Sequence, residues 1–251
     1  MVAGCNLSGL NDPIVVPFVD DEFYAELWEN ITPEGRQLHI RLSTIEPVEC
    51  KNATIGYSYQ SQGDEGLQLQ INEILIPENC EEGAAPARAV VELGRFSEGT
   101  YPLRLSLRDA VDSEGRLFVL NDRYQITLEE GGGVVPMRPV LHRIPMNTLW
   151  GYIHIKGDES LEAAAETFLQ DLQGLTASQS VKNGHYGYFE VDQGNIIWAE
   201  ADDEEQATDF FPFVRSLPTD GSDVQSLLSD YRSTYGEDLE IKVWTTGGEE
   251  W

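Results

Sequence analysis

The chain has 251 residues, and its 44 Asp and Glu against 16 Lys and Arg give a formal net charge of −28. A surface this acidic repels nucleic-acid phosphates and anionic membranes, and no Lys/Arg cluster offsets it, so neither is expected as a partner. Hydrophobic residues at 41% support packed cores rather than a disordered acidic polymer, no apolar run is long enough for a transmembrane helix, and the length suits one large or two ordinary domains.

Arginine outnumbers lysine twelve to four. That balance resembles the composition of proteins from saline habitats, with an ordinary acidic secreted protein as the alternative; either way it concerns solubility rather than fold. At the start of the chain, Val2-Ala3-Gly4-Cys5 fits the last four positions of a bacterial lipobox, in which small residues precede a cysteine that is lipidated. A full signal would carry a basic region and an apolar stretch of about 7 to 15 residues upstream. Only Met1 stands there, so the sequence is expected to begin inside a signal peptide. Residues 1–13 read as this remnant and a turn-rich tether. Stable anchoring through Cys5 would need the several acyl chains that bacterial lipoprotein processing supplies, because one chain binds membranes weakly.

From residue 14 to 130, short alternating runs separated by turn signals predict an antiparallel β-sandwich. Candidate strands cover 14–19, 38–45, 53–59, 67–74, 89–93, 101–107, 116–120 and 124–128. Leu38, Ile40 and Leu42 share one face, as do Leu67, Leu69 and Ile71. Phe23, Leu27 and Ile31 lie four apart and read as a short helix or an irregular excursion. Cys50 and Cys80 each follow an apolar segment and a Pro, and in an exported protein the two could close a loop. The phrase from Leu93 to Leu107, with Gly99-Thr100-Tyr101 followed by an alternating strand, resembles a passage of immunoglobulin-like domains in bacterial exported proteins. With the Val-Ala-Gly-Cys tetrapeptide, it makes the chain similar to bacterial lipoproteins carrying an immunoglobulin-like domain. That class is too broad for any functional residue to carry over.

Residues 131–139 contain three glycines and then two prolines and read as a linker. Beyond it the period changes, and 140–251 is expected to be an α+β domain. Leu149 to Ile155 reads as a strand, and Asp158 is a candidate N-cap before a helical stripe of Leu161, Ala165, Phe168 and Leu172 that Gly174 ends. Residues 185–191 and 195–199 read as a hairpin, and 239–244 as a closing strand. Between them, 203–217 and 222–235 read as a helical stretch split or extended around Phe210 to Phe213. The order β-α-β-β-α-β predicts a ferredoxin-like fold.

Local motifs for chemistry are scarce. Carboxylate groups at 20–22, 109–115, 202–205 and 220–223 could offer oxygens to calcium, yet none has the EF-hand spacing, and no cofactor is expected. Asp112-Ser-Glu-Gly115 reads instead as a hairpin turn, and 202–205 as the acidic first turn of a helix. There is no nucleophile elbow or phosphate loop, and the histidines show no metal-ligand spacing. The aromatics Trp150, Tyr152, Tyr186, Tyr188, Trp198 and Trp244 all fall on predicted strands of the second domain, where an open sheet face could bind a ligand or partner. The leading expectation is a lipid-anchored protein of the bacterial cell envelope that binds a protein or a glycan without catalysis. The alternative is a secreted hydrolase or accessory module with carboxylates in the interdomain cleft.

Overall fold

Ten strands form one sheet. A computed structural model describes residues 22–61, 66–108, 110–129, 132–156, 161–199, 209–217 and 221–251. The Cys5 lipidation site, the strand expected at 14–19, the Asp158 cap and the acidic run at 202–205 lie outside the described residues. The N-terminal strands are β1 (Phe23–Thr32), β2 (Gly35–Thr44), β3 (Thr54–Ser61), β4 (Leu67–Leu75) and β5 (Arg88–Gly94). They are followed by β6 (Gly99–Leu107), β7 (Val111–Val119), β8 (Arg123–Leu128), β9 (Val134–Arg138) and β10 (Val140–His142).

Their order is β10-β8-β7-β6-β4-β3-β5-β2-β1-β9, with parallel pairing at β4/β6, β3/β5 and β1/β9. The two ends of this order are one continuous piece of chain. Residues 134–138 pair with β1, and after Pro139 the same backbone crosses to pair with β8, Ile126 N donating to Pro139 O at 2.9 Å. The sheet is thereby nearly closed around a core that includes Phe23, Leu27, Ile40, Leu69, Leu105 and Val119. The segment that reads as a linker supplies this closing strand from Val134 onward. The thinnest seam lies between β3 and β5, which share only the pair Thr54 and Arg88. Beyond it, the Tyr57 and Tyr59 hydroxyls donate to Val90 O at 2.9 Å and Leu93 O at 3.1 Å, bridging strands whose main chains do not meet.

Two further findings correct local expectations. Residues 23–32 are a strand, because a spacing of four is a multiple of the strand period of two as well as close to one helical turn. Phe23, Ala25, Leu27, Glu29 and Ile31 are all buried on its inner face. Leu107 pairs with Val111 and Arg108 takes φ 53°, so the chain reverses before Val111 and 112–115 belongs to a strand rather than a turn. Gly115 sits there because a Cβ would strike Thr127 O on β8. Cys50 and Cys80 form a disulfide, their Cα atoms 5.5 Å apart.

The C-terminal part contains β11 (Thr148–Ile155), α1 (Glu162–Leu175), β12 (Ala177–Ser178), β13 (Gly184–His185), β14 (Phe189–Asp192) and β15 (Asn195–Trp198). After these come β16 (Phe210–Ser216), α2 (Ser222–Tyr235), a 3-10 turn at Gly236–Asp238 and β17 (Leu239–Thr245). An antiparallel sheet of order β12-β16-β11-β17 carries both helices on one face, burying Ile153, Phe168, Phe213, Leu228 and Ile241. The hairpin of β14 and β15 turns at Gln193 and Gly194, with φ 49° and 85°, and joins β13 in a separate three-stranded sheet.

The expected immunoglobulin-like sandwich followed by a separate ferredoxin-like βαββαβ domain is therefore not what the chain builds. The first half is a single mixed sheet rather than two packed sheets. In the second half the predicted hairpin leaves the main sheet, and residues 210–216, expected within a helical stretch, form a strand of it. Pro212 is compatible with this strand, whereas inside a helix it would remove a hydrogen bond and clash with the preceding turn. Period-two alternation marks which face of a strand is buried, but it carries no information on strand order or closure.

Candidate functional site

The six aromatics singled out by the sequence are brought together, but in the interior. Trp150 and Tyr152 of β11 and Trp244 of β17 project from the sheet face opposite the helices, and the three-stranded sheet covers them with Tyr186, Tyr188 and Trp198. Ring centroids lie 4.8 Å apart for Tyr152 and Trp198, and 5.3 Å for the stacked Trp198 and Trp244. Trp28 on the outer face of β1 meets Tyr188 at 4.5 Å, so the cluster also joins the two halves of the chain. Trp150 is 1% exposed and Trp198 4%, which leaves their rings no open face for a ligand.

Ion pairs reinforce that joint. Glu26, on the outer face of β1, receives Arg138 Nη1 at 2.6 Å and has His185 Nε2 at 3.2 Å. Burial alone would raise its pKa, but the contacts and charges of His185 and Arg138 outweigh burial and bring it down to about 2. Glu29 lies on the opposite, inner face and is 1% exposed. It accepts from Tyr124 OH at 2.7 Å, Arg36 Nη1 at 2.9 Å and Arg143 Nε at 3.4 Å. Burial, with Glu29 beside it, pushes the Tyr124 hydroxyl pKa up. Arg36 also donates to Ile144 O at 2.6 Å, and Lys182 reaches Asp122 at 2.9 Å, both joining parts of the chain far apart in sequence. Burial pushes the His39 and His142 imidazoles down.

A groove of about 780 Å3 runs over the outer face of β1, β2 and β5 beside this joint, lined by Tyr24, Arg41, Arg88, Val90, Met137 and Ala199 among others. The carboxylate among its described lining residues is that of Glu26. Held as an anion by Arg138 and His185, it carries no proton to donate near neutrality and is a weak base. Glu26 and Glu29 point to opposite faces of one strand, so they do not form an acid/base pair across a substrate. Among the described residues, no three His, Cys, Asp or Glu side chains gather as a metal site.

The outer face of β3, β4, β6 and β7 is different in kind. Strand register lines up two polar rows across it. Ser58, Gln70, Ser106 and Asp112 are successive partners in one, and Gln60, Gln68, Arg104 and Glu114 in the other. Between the rows lies a trough of about 360 Å3. Its charges are internally compensated: Arg104 Nη2 lies 3.2 Å from Asp112 and 3.7 Å from Glu114, and Arg108 Nη2 lies 3.1 Å from Glu22. Ser106 Oγ donates to Asp112 Oδ1 at 2.5 Å, and Gln70 Nε2 to Arg108 O at 3.3 Å.

Sequence reasoning missed this surface. The alternation of Leu67, Leu69 and Ile71 with Gln68 and Gln70 was the available signal, since amides rather than carboxylates fill the outward positions of a strongly acidic chain. Compared with known proteins, the chain matches no family model, no curated protein and no solved structure.

Proposed function

We propose that the protein is lipid-anchored through Cys5 in the bacterial cell envelope and binds a partner without catalysing its conversion. One observation carries the binding role: an amide and hydroxyl ladder on the outer face of β3, β4 and β6 lines an open trough whose arginines are already paired with carboxylates. The Cys50–Cys80 disulfide supports export, because such bonds persist in oxidising compartments. Against a hydrolytic cleft stands Glu26, whose carboxylate is tied into ion pairs and has a pKa near 2.

The test is expression from the full reading frame in a bacterial host, followed by membrane fractionation and intact-mass analysis. The expected product pellets with membranes, begins at Cys5, carries acyl mass and gains two hydrogens on reduction. A mature chain that stays unacylated and outside the membrane fraction overturns the anchor.

A further inference from the structure

We infer that the trough on the outer face of β3, β4, β6 and β7 binds an uncharged glycan. This rests on the binding-protein proposal above and names its ligand class. The carboxamides of Gln60 and Gln68 and the hydroxyl of Ser58 each donate and accept, as sugar hydroxyls do, and Ser106 Oγ, whose hydrogen goes to Asp112, accepts. Adjacent strands lie roughly 4.8 Å apart, so β3, β4 and β6 present a spaced set of such groups over a span of about 10 Å, with the carboxylate of Asp112 on β7 beyond them, suited to a short linear oligosaccharide lying across the strands.

Charge selects against the anionic alternatives. Arg104 and Arg108 face Glu22, Asp112 and Glu114, so the guanidiniums are already engaged by carboxylates. A sulfated or uronate-rich glycan would meet those carboxylates within a molecule of net charge −28. A neutral glycan instead offers hydroxyl donors to the same carboxylate oxygens. An extended peptide is a poorer fit. Strands β4 and β6 are paired on both sides and offer no free edge, while Leu69, Ala110 and Val111 are the apolar residues of the described lining and form no side-chain pocket. Among the described lining residues there is no aromatic ring for stacking. Affinity therefore rests on hydrogen bonds, each of modest net worth, and is expected to be weak.

The experiment applies the whole folded chain, disulfide intact, to an array of neutral hexose and N-acetylhexosamine oligosaccharides, uronate and sulfated glycans, and short acidic and basic peptides. Hits are then titrated by calorimetry. Binding is expected on neutral glycans, changing less than about twofold between low and high salt, because no counterions are released. Gln60→Ala with Gln68→Ala is expected to weaken it tenfold or more, while Gln173→Ala, exposed on α1, leaves it unchanged. Unaltered thermal unfolding shows that the double variant folds. Retention confined to charged glycans with steep salt dependence, retention confined to peptides, the absence of binding to any neutral glycan, or binding indifferent to the double variant overturns the inference. Because the anchor is read by mass and fractionation, its failure and that of glycan binding are separately visible.

Discussion

Replacing Glu29 by Gln keeps the shape of a fully buried side chain and removes its charge, which isolates what that charge holds together. The carboxylate is 1% exposed and accepts from Tyr124, Arg36 and Arg143. Removing one partner of a buried ion pair costs about 3 to 5 kcal/mol, because the remaining charge is left uncompensated. Arg36 and Arg143 soften that loss. Their side chains are 14% and 23% exposed, and each keeps a carbonyl acceptor, Ile144 O and Leu120 O. Glu29→Gln is thus expected to destabilise the chain by about 2 to 4 kcal/mol. Tyr124→Phe removes one hydrogen bond to a charged acceptor and is expected to cost about 1.5 to 3 kcal/mol. In the double variant the two losses overlap, giving a coupling of roughly 1 kcal/mol or more. Urea unfolding followed by both tryptophan fluorescence and circular dichroism measures these differences. A loss below about 1 kcal/mol for Glu29→Gln, or strict additivity with Tyr124→Phe, would refute the assignment of this carboxylate as the buried hub that ties Arg36, Tyr124 and Arg143 to β1.

Acid should act through Glu26. Its folded pKa near 2 lies below the ordinary 4.5, so its stabilisation is fully present above about pH 4.5 and is lost as pH falls toward 2. The contribution is about 3 kcal/mol at most, and Glu26→Gln should flatten the stability profile in that window; parallel acid loss in both proteins would contradict it. The disulfide closes a loop with a sequence separation of 30. Cys50→Ser with Cys80→Ser should lower unfolding free energy by about 3 to 4 kcal/mol on the chain-entropy estimate, and an unchanged denaturant midpoint would argue against it. Gly115→Ala drives a methyl into Thr127 O of the backbone. It should cost about 3 kcal/mol, with hydrogen-exchange protection falling first in β7 and β8, and normal protection there would show the strands yield more easily than the packing implies.

Much of the secondary structure was legible without coordinates, because the alternation of Leu67, Leu69 and Ile71 with glutamines, or the helical stripe of Ala165, Phe168 and Leu172, follows from which side chains must leave water. So was the pairing option for Cys50 and Cys80. Strand order was not legible. Whether the buried faces would form two packed sheets or one sheet nearly closed by residues 134–142 depends on contacts between strands far apart in sequence, on which local alternation is silent. Trp150, Tyr152 and Trp198 announce themselves as large apolar groups, but only the fold decides that a second sheet and Trp28 cover them, turning a possible binding face into a joint. The trough shows the converse. Gln60, Gln68 and Arg104 are ordinary outward residues on separate strands, and they become neighbours only because the register of β3, β4 and β6 sets them side by side. The sequence by itself thus determined acidity, the alternation of buried and exposed positions and the residues available for a disulfide, since each depends on local composition and period. Tertiary structure alone decided which exposed rows meet across strands, because that register is a property of long-range hydrogen bonding.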